Sequence, residues 1–133
     1  MADLKAIVEE LYGHSMVGDF ESAEAFLTDD FQIKEPSTLP FAGLYSGKSA
    51  LRELFPIVMS ALGVNNMERG EVMVGKKSVS NKVTMTFADP DTAPVEMMEV
   101  FIFRGNKVCE IRPYYFDTNV VLAARDAFKA SQN

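Results

Sequence analysis

Residues 93–116 read APVEMMEVFIFRGNKVCEIRPYYF. Two runs of period two flank the turn formers Gly105 and Asn106, which predicts a hairpin of strands over roughly 94–104 and 107–116. Successive side chains of a strand point to opposite faces, so Val95, Met97, Glu99, Phe101 and Phe103 share one side of the first run. A carboxylate therefore stands in the middle of an apolar face. Removed from water without a partner, such a group favours its neutral form and its pKa rises.

The same pattern recurs upstream. Stretches 65–75 and 79–88 read as two more strands, separated by Gly75-Lys76-Lys77 and followed by the turn Ala88–Asp91. Earlier still, Phe31, Ile33 and Glu35 share one face of a strand with Gln32 and Lys34 on the other, and Pro36 ends it. Glu35 is thus a second acid at an apolar parity. A strand-end ion pair at the surface accounts for either acid alone, whereas the two together match a site that keeps both an acid and a base near neutral pH. Residues 37–47, STLPFAGLYSG, read as a loop.

Helical spacing fills the remainder. Asp3 caps a helix with apolar positions Leu4, Ile7, Val8, Leu11 and Tyr12, ending at Gly18; Asp19 caps a short second helix carrying Phe20, Ala23, Phe26 and Leu27. A third helix runs from Lys48 to Leu62, with a kink or restart expected at Pro56 and a stop at Gly63. Asp117 caps a closing helix through Ala130. Helix, helix, strand, helix, then a meander of strands is an α+β order, with an antiparallel sheet expected.

The 133 residues fit one domain, 1–133, and 47% hydrophobic against 24% charged residues is a globular balance. A formal charge of −6 without a local basic cluster argues against nucleic acid. The longest apolar runs, such as Val100–Phe103, are too short for a bilayer, and MADLKAIVEEL lacks an export pattern, so a cytoplasmic protein without membrane association is expected. The single cysteine, Cys109, fits a reducing compartment and reads as a small buried residue. His14 has no second ligand near it in the sequence, and Asp89-Pro90-Asp91 reads as a hairpin turn, so no metal and no cofactor are expected. Eight Met and ten Phe suit a cavity that moulds around a ligand and suit a plain core equally.

The opening VEELYGHSMVGDFESAEAFLTDDFQIKEP (8–36), the stretch LPFAGLYSGKSALRELF (39–55) and the closing VFIFRGNKVCEIRPYYFDT (100–118) together resemble the nuclear transport factor 2-like superfamily, in its SnoaL-like and ketosteroid isomerase-like branch. The resemblance spans essentially the whole chain. It implies a cone-shaped, barrel-like curved antiparallel sheet packed on the N-terminal helices, the cystatin-like or ketosteroid isomerase-like fold, with a cavity for a small lipophilic molecule. A homodimer through the convex face is expected from the amphipathic alternation of the last strands, with Glu110, Arg112 and Tyr114 opposite Ile111 and Tyr115.

Position by position, the steroid isomerases' general base matches Glu35, before Pro36, and their protonated oxyanion acid matches Glu99; both are acids here, one methylene longer. Their helix-one tyrosine falls on Leu11, and Tyr12, one residue on, is turned by about 100° and so is not a simple replacement. Tyr115 is a candidate phenol on the opposite wall. The Asp-Arg-Asp site of limonene epoxide hydrolases has no counterpart, since Pro113 follows Arg112. The resemblance therefore implies cofactor-free proton abstraction next to a carbonyl, with Glu35, Glu99, Tyr115 and Tyr12 as catalytic candidates. Periodicity assigns the walls to Met16, Phe41, Phe55, Met59, Met85, Phe87, Met97 and Phe101. A non-catalytic ligand-binding or dimerisation domain of the same fold is the alternative.

Overall fold

The computed structural model describes residues 3–132. Helix α1 (Leu4–Met16) starts where the Asp3 carboxylate accepts the Ala6 amide at 3.2 Å, and the short α2 (Phe20–Glu24) starts on Asp19 in the same way through Ser22. Strand β1 (Leu27–Glu35) and a four-residue β2 (Gly43–Ser46) follow, then α3 (Ala50–Leu62). The last half is the meander β3 (Asn66–Val74), β4 (Ser78–Thr86), β5 (Val95–Arg104) and β6 (Lys107–Tyr115), closed by α4 (Thr118–Ser131) on its Asp117 cap.

The six strands form one curved, unclosed sheet in the order β2-β1-β6-β5-β4-β3. Helix α1 lies over β3 and β4, α3 over β1 and β2, and α4 packs on α3. Val8, Leu11, Phe31, Val79, Val83, Phe101 and Val108, all buried, fill the space between helices and sheet.

Three expectations are corrected. The sheet is mixed, because β1 pairs with β6 in parallel; the three-strand meander β3 to β5 and the hairpin β5–β6 are antiparallel as expected. Strand β1 begins at Leu27, because the amide of Val108 reaches back to the Phe26 carbonyl at 2.9 Å and ties the chain into the sheet four residues before the alternation becomes visible. Residues 43–46 are a strand, since Gly43, Leu44, Tyr45 and Ser46 complete the open edge of β1 from Glu35 back to Gln32. Helix α3 also continues through Pro56, which starts no new helix.

Helix α3 ends at Gly63, whose φ of 62° is left-handed. A Cβ there would overlap the ring of Phe128 on α4, so this glycine serves both the turn and the docking of the last helix. Gly63→Ala is expected to lower unfolding free energy in urea by about 1–3 kcal/mol. Gly13→Ala, inside α1 with nothing within 4 Å of the added methyl, should raise it by about 0.5–1 kcal/mol.

Candidate active site

Between the concave face of the sheet and α3 lies an apolar cavity of ≈ 100 Å³, bounded by Leu54, Phe55 and Val58 of α3 and by Ile33, Ile111 and Pro113 of the sheet. Four methionines, Met59, Met67, Met85 and Met97, reach it from α3, β3, β4 and β5. A second hollow of ≈ 80 Å³ shares Leu51, Phe55, Met67, Glu99 and Ile111 with the first and continues to Leu11, Tyr12, Ser15 and Met16. A wider, open groove of ≈ 730 Å³ meets the first cavity from outside at Glu35, Pro113 and Tyr115, which line both. Each hollow is smaller than the roughly 150 Å³ that holds one benzene ring, so together they are of single-ring size.

Strand register explains why two acids meet here. Glu99 stands opposite Pro113 on one side and Asn81 on the other. Ile33 stands opposite Ile111, and two residues on along parallel strands Glu35 reaches the level of Pro113. Glu35, Pro113, Glu99 and Asn81 therefore occupy one row across four strands, which puts the two glutamate Cα atoms about 10 Å apart at two strand spacings.

Glu35 is only 6% exposed, and the Tyr115 hydroxyl donates to its Oε1 at 3.1 Å. Among the described residues neither Glu35 nor Glu99 is in an ion pair; Arg112 holds Glu110 at 2.6 Å instead. Burial raises the Glu35 pKa from 4.5 to about 7, against the lowering effect of the Tyr115 hydrogen bond and with a smaller upward push from the Glu99 charge. The Tyr115 phenol is itself driven far up, first by burial and then by Glu35.

Glu99 accepts a hydrogen bond from the Tyr12 hydroxyl. Its residual accessible surface opens onto the two hollows it lines, and burial raises its pKa while the Tyr12 bond and the Arg69 charge oppose the rise. Tyr12 is pushed well up by burial and by Glu99, and its ring meets Phe101 edge-on at 5.5 Å. Leu11, the position of the family's tyrosine, lines the same hollow as Tyr12. The expected 100° offset thus does not take Tyr12 out of the site, because the stripe that α1 turns toward a curved sheet is wide enough for both residues.

Of the other sequence candidates, Phe55, Met59, Met85 and Met97 line the first cavity, and Met16 and Phe101 the second. Phe41 lines neither; it is buried behind Tyr115, ring centroids 6.4 Å apart, where it backs the phenol. Phe87 is a correction. It lies at the end of β4, in a separate hollow with Leu62, Ala124 and Phe128, because its strand has passed beyond the cavity. His14 stacks on Phe26, Cys109 is half-buried, and Asp89 caps its own turn through Asp91 and Thr92. Missed by the sequence reading were Met67, Asn81 and Arg69. Asn81 carried a signal, a polar residue at the parity of Val79, Val83 and Met85. Arg69 carried none, because a bulge between Arg69 and Val72 breaks the alternation of β3.

A profile of the SnoaL-like domain matches residues 8–111. The chain belongs to the SnoaL-like domain family. It is a nuclear transport factor 2-like fold, and solved structures agree over nearly its whole length. Bal32a, from a soil-derived mobile gene cassette, is 18% identical with 88% of this chain and 92% of that one covered, at a TM-score of 0.75. A nuclear transport factor 2-like protein from Burkholderia xenovorans is 20% identical, with coverages of 92% and 95% and a TM-score of 0.73. TerC, co-crystallised with polyporic acid, is 16% identical, with coverages of 92% and 98% and a TM-score of 0.76. At these identities the likeness is one of fold. Among curated proteins none matches the sequence. No helix among the described residues of this SnoaL-like chain is long and apolar enough to cross a membrane.

The raised Glu35 pKa has a consequence for stability. The folded chain holds this proton more tightly than the unfolded one, so the contribution is full below pH 4.5 and is lost as pH rises through about 7. The shift corresponds to about 3 kcal/mol. Urea unfolding of the wild type should weaken by about that much between pH 5 and pH 8 relative to Glu35→Gln, which has no proton to lose. Parallel pH profiles for the two proteins would mean that Glu35 titrates normally.

Proposed function

We propose that the chain is a cofactor-independent proton-transfer enzyme of the isomerase or cyclase type, acting next to the carbonyl of a small lipophilic substrate in a reducing, cytoplasmic setting. The observation that carries this reading is the pair of carboxyl–phenol couples, Glu35 with Tyr115 and Glu99 with Tyr12, facing two adjoining apolar hollows with no cation bound to either acid among the described residues. TerC's co-crystal with polyporic acid and a candidate polyketide cyclase from Sinorhizobium meliloti, 13% identical at a TM-score of 0.65, are in keeping with small-molecule chemistry on this fold.

In this reading the Glu35 carboxylate removes the proton from the carbon beside the carbonyl. A base whose pKa is about 7 is matched to neutral solution, because it is both ionised in good part and still basic. Electron density moves onto the carbonyl oxygen as the C–H bond breaks, and this oxygen takes a hydrogen bond from neutral Glu99, whose other carboxyl oxygen accepts the Tyr12 hydroxyl. The proton carried by Glu35 then returns to another carbon of the enolate, or the enolate carbon adds to a second carbonyl carbon of the same molecule, whose C=O π pair moves onto its oxygen, and Glu35 returns the proton to that oxygen. Phe55 and the methionines hold the substrate by dispersion and adapt to its outline. The size of the two hollows favours a small cyclic substrate over a four-ring steroid.

A second reading, a binding domain that holds such a molecule without turning it over, is favoured by the same small enclosed volume. A panel of small cyclic enones and ketones, followed for exchange of the α-hydrogen with deuterated solvent, separates the two. Glu35→Gln should keep ligand affinity and lose exchange by about 10²–10⁴-fold. Ligand binding with no exchange by the wild type, or equal exchange by both proteins, would leave the binding domain as the better account.

The dimer belongs to the same proposal. Met98, Val100 and Ile102 alternate with the inward residues of β5, and with Leu44 and Tyr114 they give the outer face an apolar band. Sedimentation at micromolar concentration should give twice the 14.7 kDa chain mass.

A further inference from the structure

Arg69 points inward from β3 at the last regular residue before its bulge. Its Nε and Nη2 donate to the Asn81 Oδ1 at 2.8 and 2.6 Å, and its Nη1 and Nη2 donate to the two carboxylate oxygens of Glu9 on α1 at 2.6 and 3.0 Å. The guanidinium carbon lies 4.1 Å from the centre of the Tyr12 ring. A lone surface ion pair contributes little, yet this one is held from two elements, α1 and β4, with the guanidinium over an aromatic ring. Asn81 is 0% exposed, its remaining amide donates to the Lys82 carbonyl at 2.9 Å, and it stands directly opposite Glu99. Every bond that fixes Arg69 therefore also fixes the wall behind the Tyr12–Glu99 couple.

At the other end, among the described residues, no cation is bonded to Glu35 or Tyr115, although Lys34 and Arg112 line the groove outside. Arg112 is held by Glu110, and Lys34 alternates with the inward Ile33 and Glu35. The cavity is apolar along its length and electrically unequal at its ends.

We propose that Arg69 is a positioning residue, which clamps Tyr12 onto Glu99 and makes that end of the cavity the one where negative charge on a substrate oxygen is accepted. Arg69 touches no substrate and acts through Tyr12 and Glu99. The proposal rests on reading the cavity as a proton-transfer site, and it names the residue that makes the Glu99 end the one where the substrate oxygen lies.

The groups facing Glu99 are Tyr12 and Glu9 from α1, Arg69 from β3, Asn81 from β4, Tyr115 from β6 and Glu35 from β1. Carbon-13 titration of the Glu99 carboxyl, assigned with Glu99→Gln, reads their field without any substrate. Arg69→Met removes the cation and should raise the Glu99 midpoint by about one pH unit, and Arg69→Lys should return it at least half-way. Glu9→Gln removes the charge that balances Arg69 and should move the midpoint down. A loosened structure would not produce opposite shifts from two partners of one ion pair. If Arg69→Met does not fold, Glu9→Gln carries the test alone, and an unchanged or raised midpoint in it overturns the proposal. Shifts of the same sign in the two variants, or none in Arg69→Met, also overturn it. Shifts of the stated signs support it whether or not the ketone panel shows exchange, so its failure is separable from failure of the enzymatic reading.

Discussion

Two carboxyl groups face one apolar cavity, and among the described residues neither is bound to a cation. Much of the molecule serves that constraint. A buried acid without a counter-ion is tolerated when it is neutral or when phenols share its protons, and Tyr115 and Tyr12 each supply such a bond. Tyr115 is backed by Phe41, which brings the otherwise irregular 36–43 segment into the core; Tyr12 is backed by Phe101 and Arg69, which ties α1 to β3 and β5. The packing that holds the sheet against its helices is thereby the packing that holds the two acids apart from solvent.

How much of this was legible in the sequence depends on which periodicity carried the signal. Glu35, Glu99 and the methionines of β4 and β5 were readable because a strand alternates strictly, and a polar residue at an inward parity stands out against Met and Phe. Tyr12 was legible only as a candidate one residue off the family's position, because helical parity is softer: a residue one step away still falls within the broad face that α1 presents to a curved sheet. Arg69 left no trace, since its bulge interrupts the period and its partners Glu9 and Asn81 lie 60 and 12 residues away. Strand β2 was hidden for a different reason. Four residues around a glycine are too few to show alternation, and only the edge offered by β1 makes them a strand.

The parallel contact between β1 and β6 was likewise invisible, because nothing in either strand names its neighbour. It is nevertheless what brings Glu35 to the cavity, since it places the end of the first strand beside the end of the last. The acid pair is a product of topology as much as of local sequence.

Pro113 sits on that same contact. Lacking an amide hydrogen it cannot continue a ladder, and the pairing of β1 with β6 runs no further than Ile33 and Ile111. Beyond that point Glu35 is tied by its backbone only to Gly43, at the end of a strand of four residues. A two-stranded ribbon of this length has little stability of its own, and its opening costs far less than unfolding the sheet. Glu99, by contrast, is paired on both sides in the middle of the meander. The two acids therefore differ in mobility by construction. One is fixed within the sheet, and the other sits on a short edge ribbon beside the open groove, so that a local opening of that edge would move Glu35 relative to Glu99.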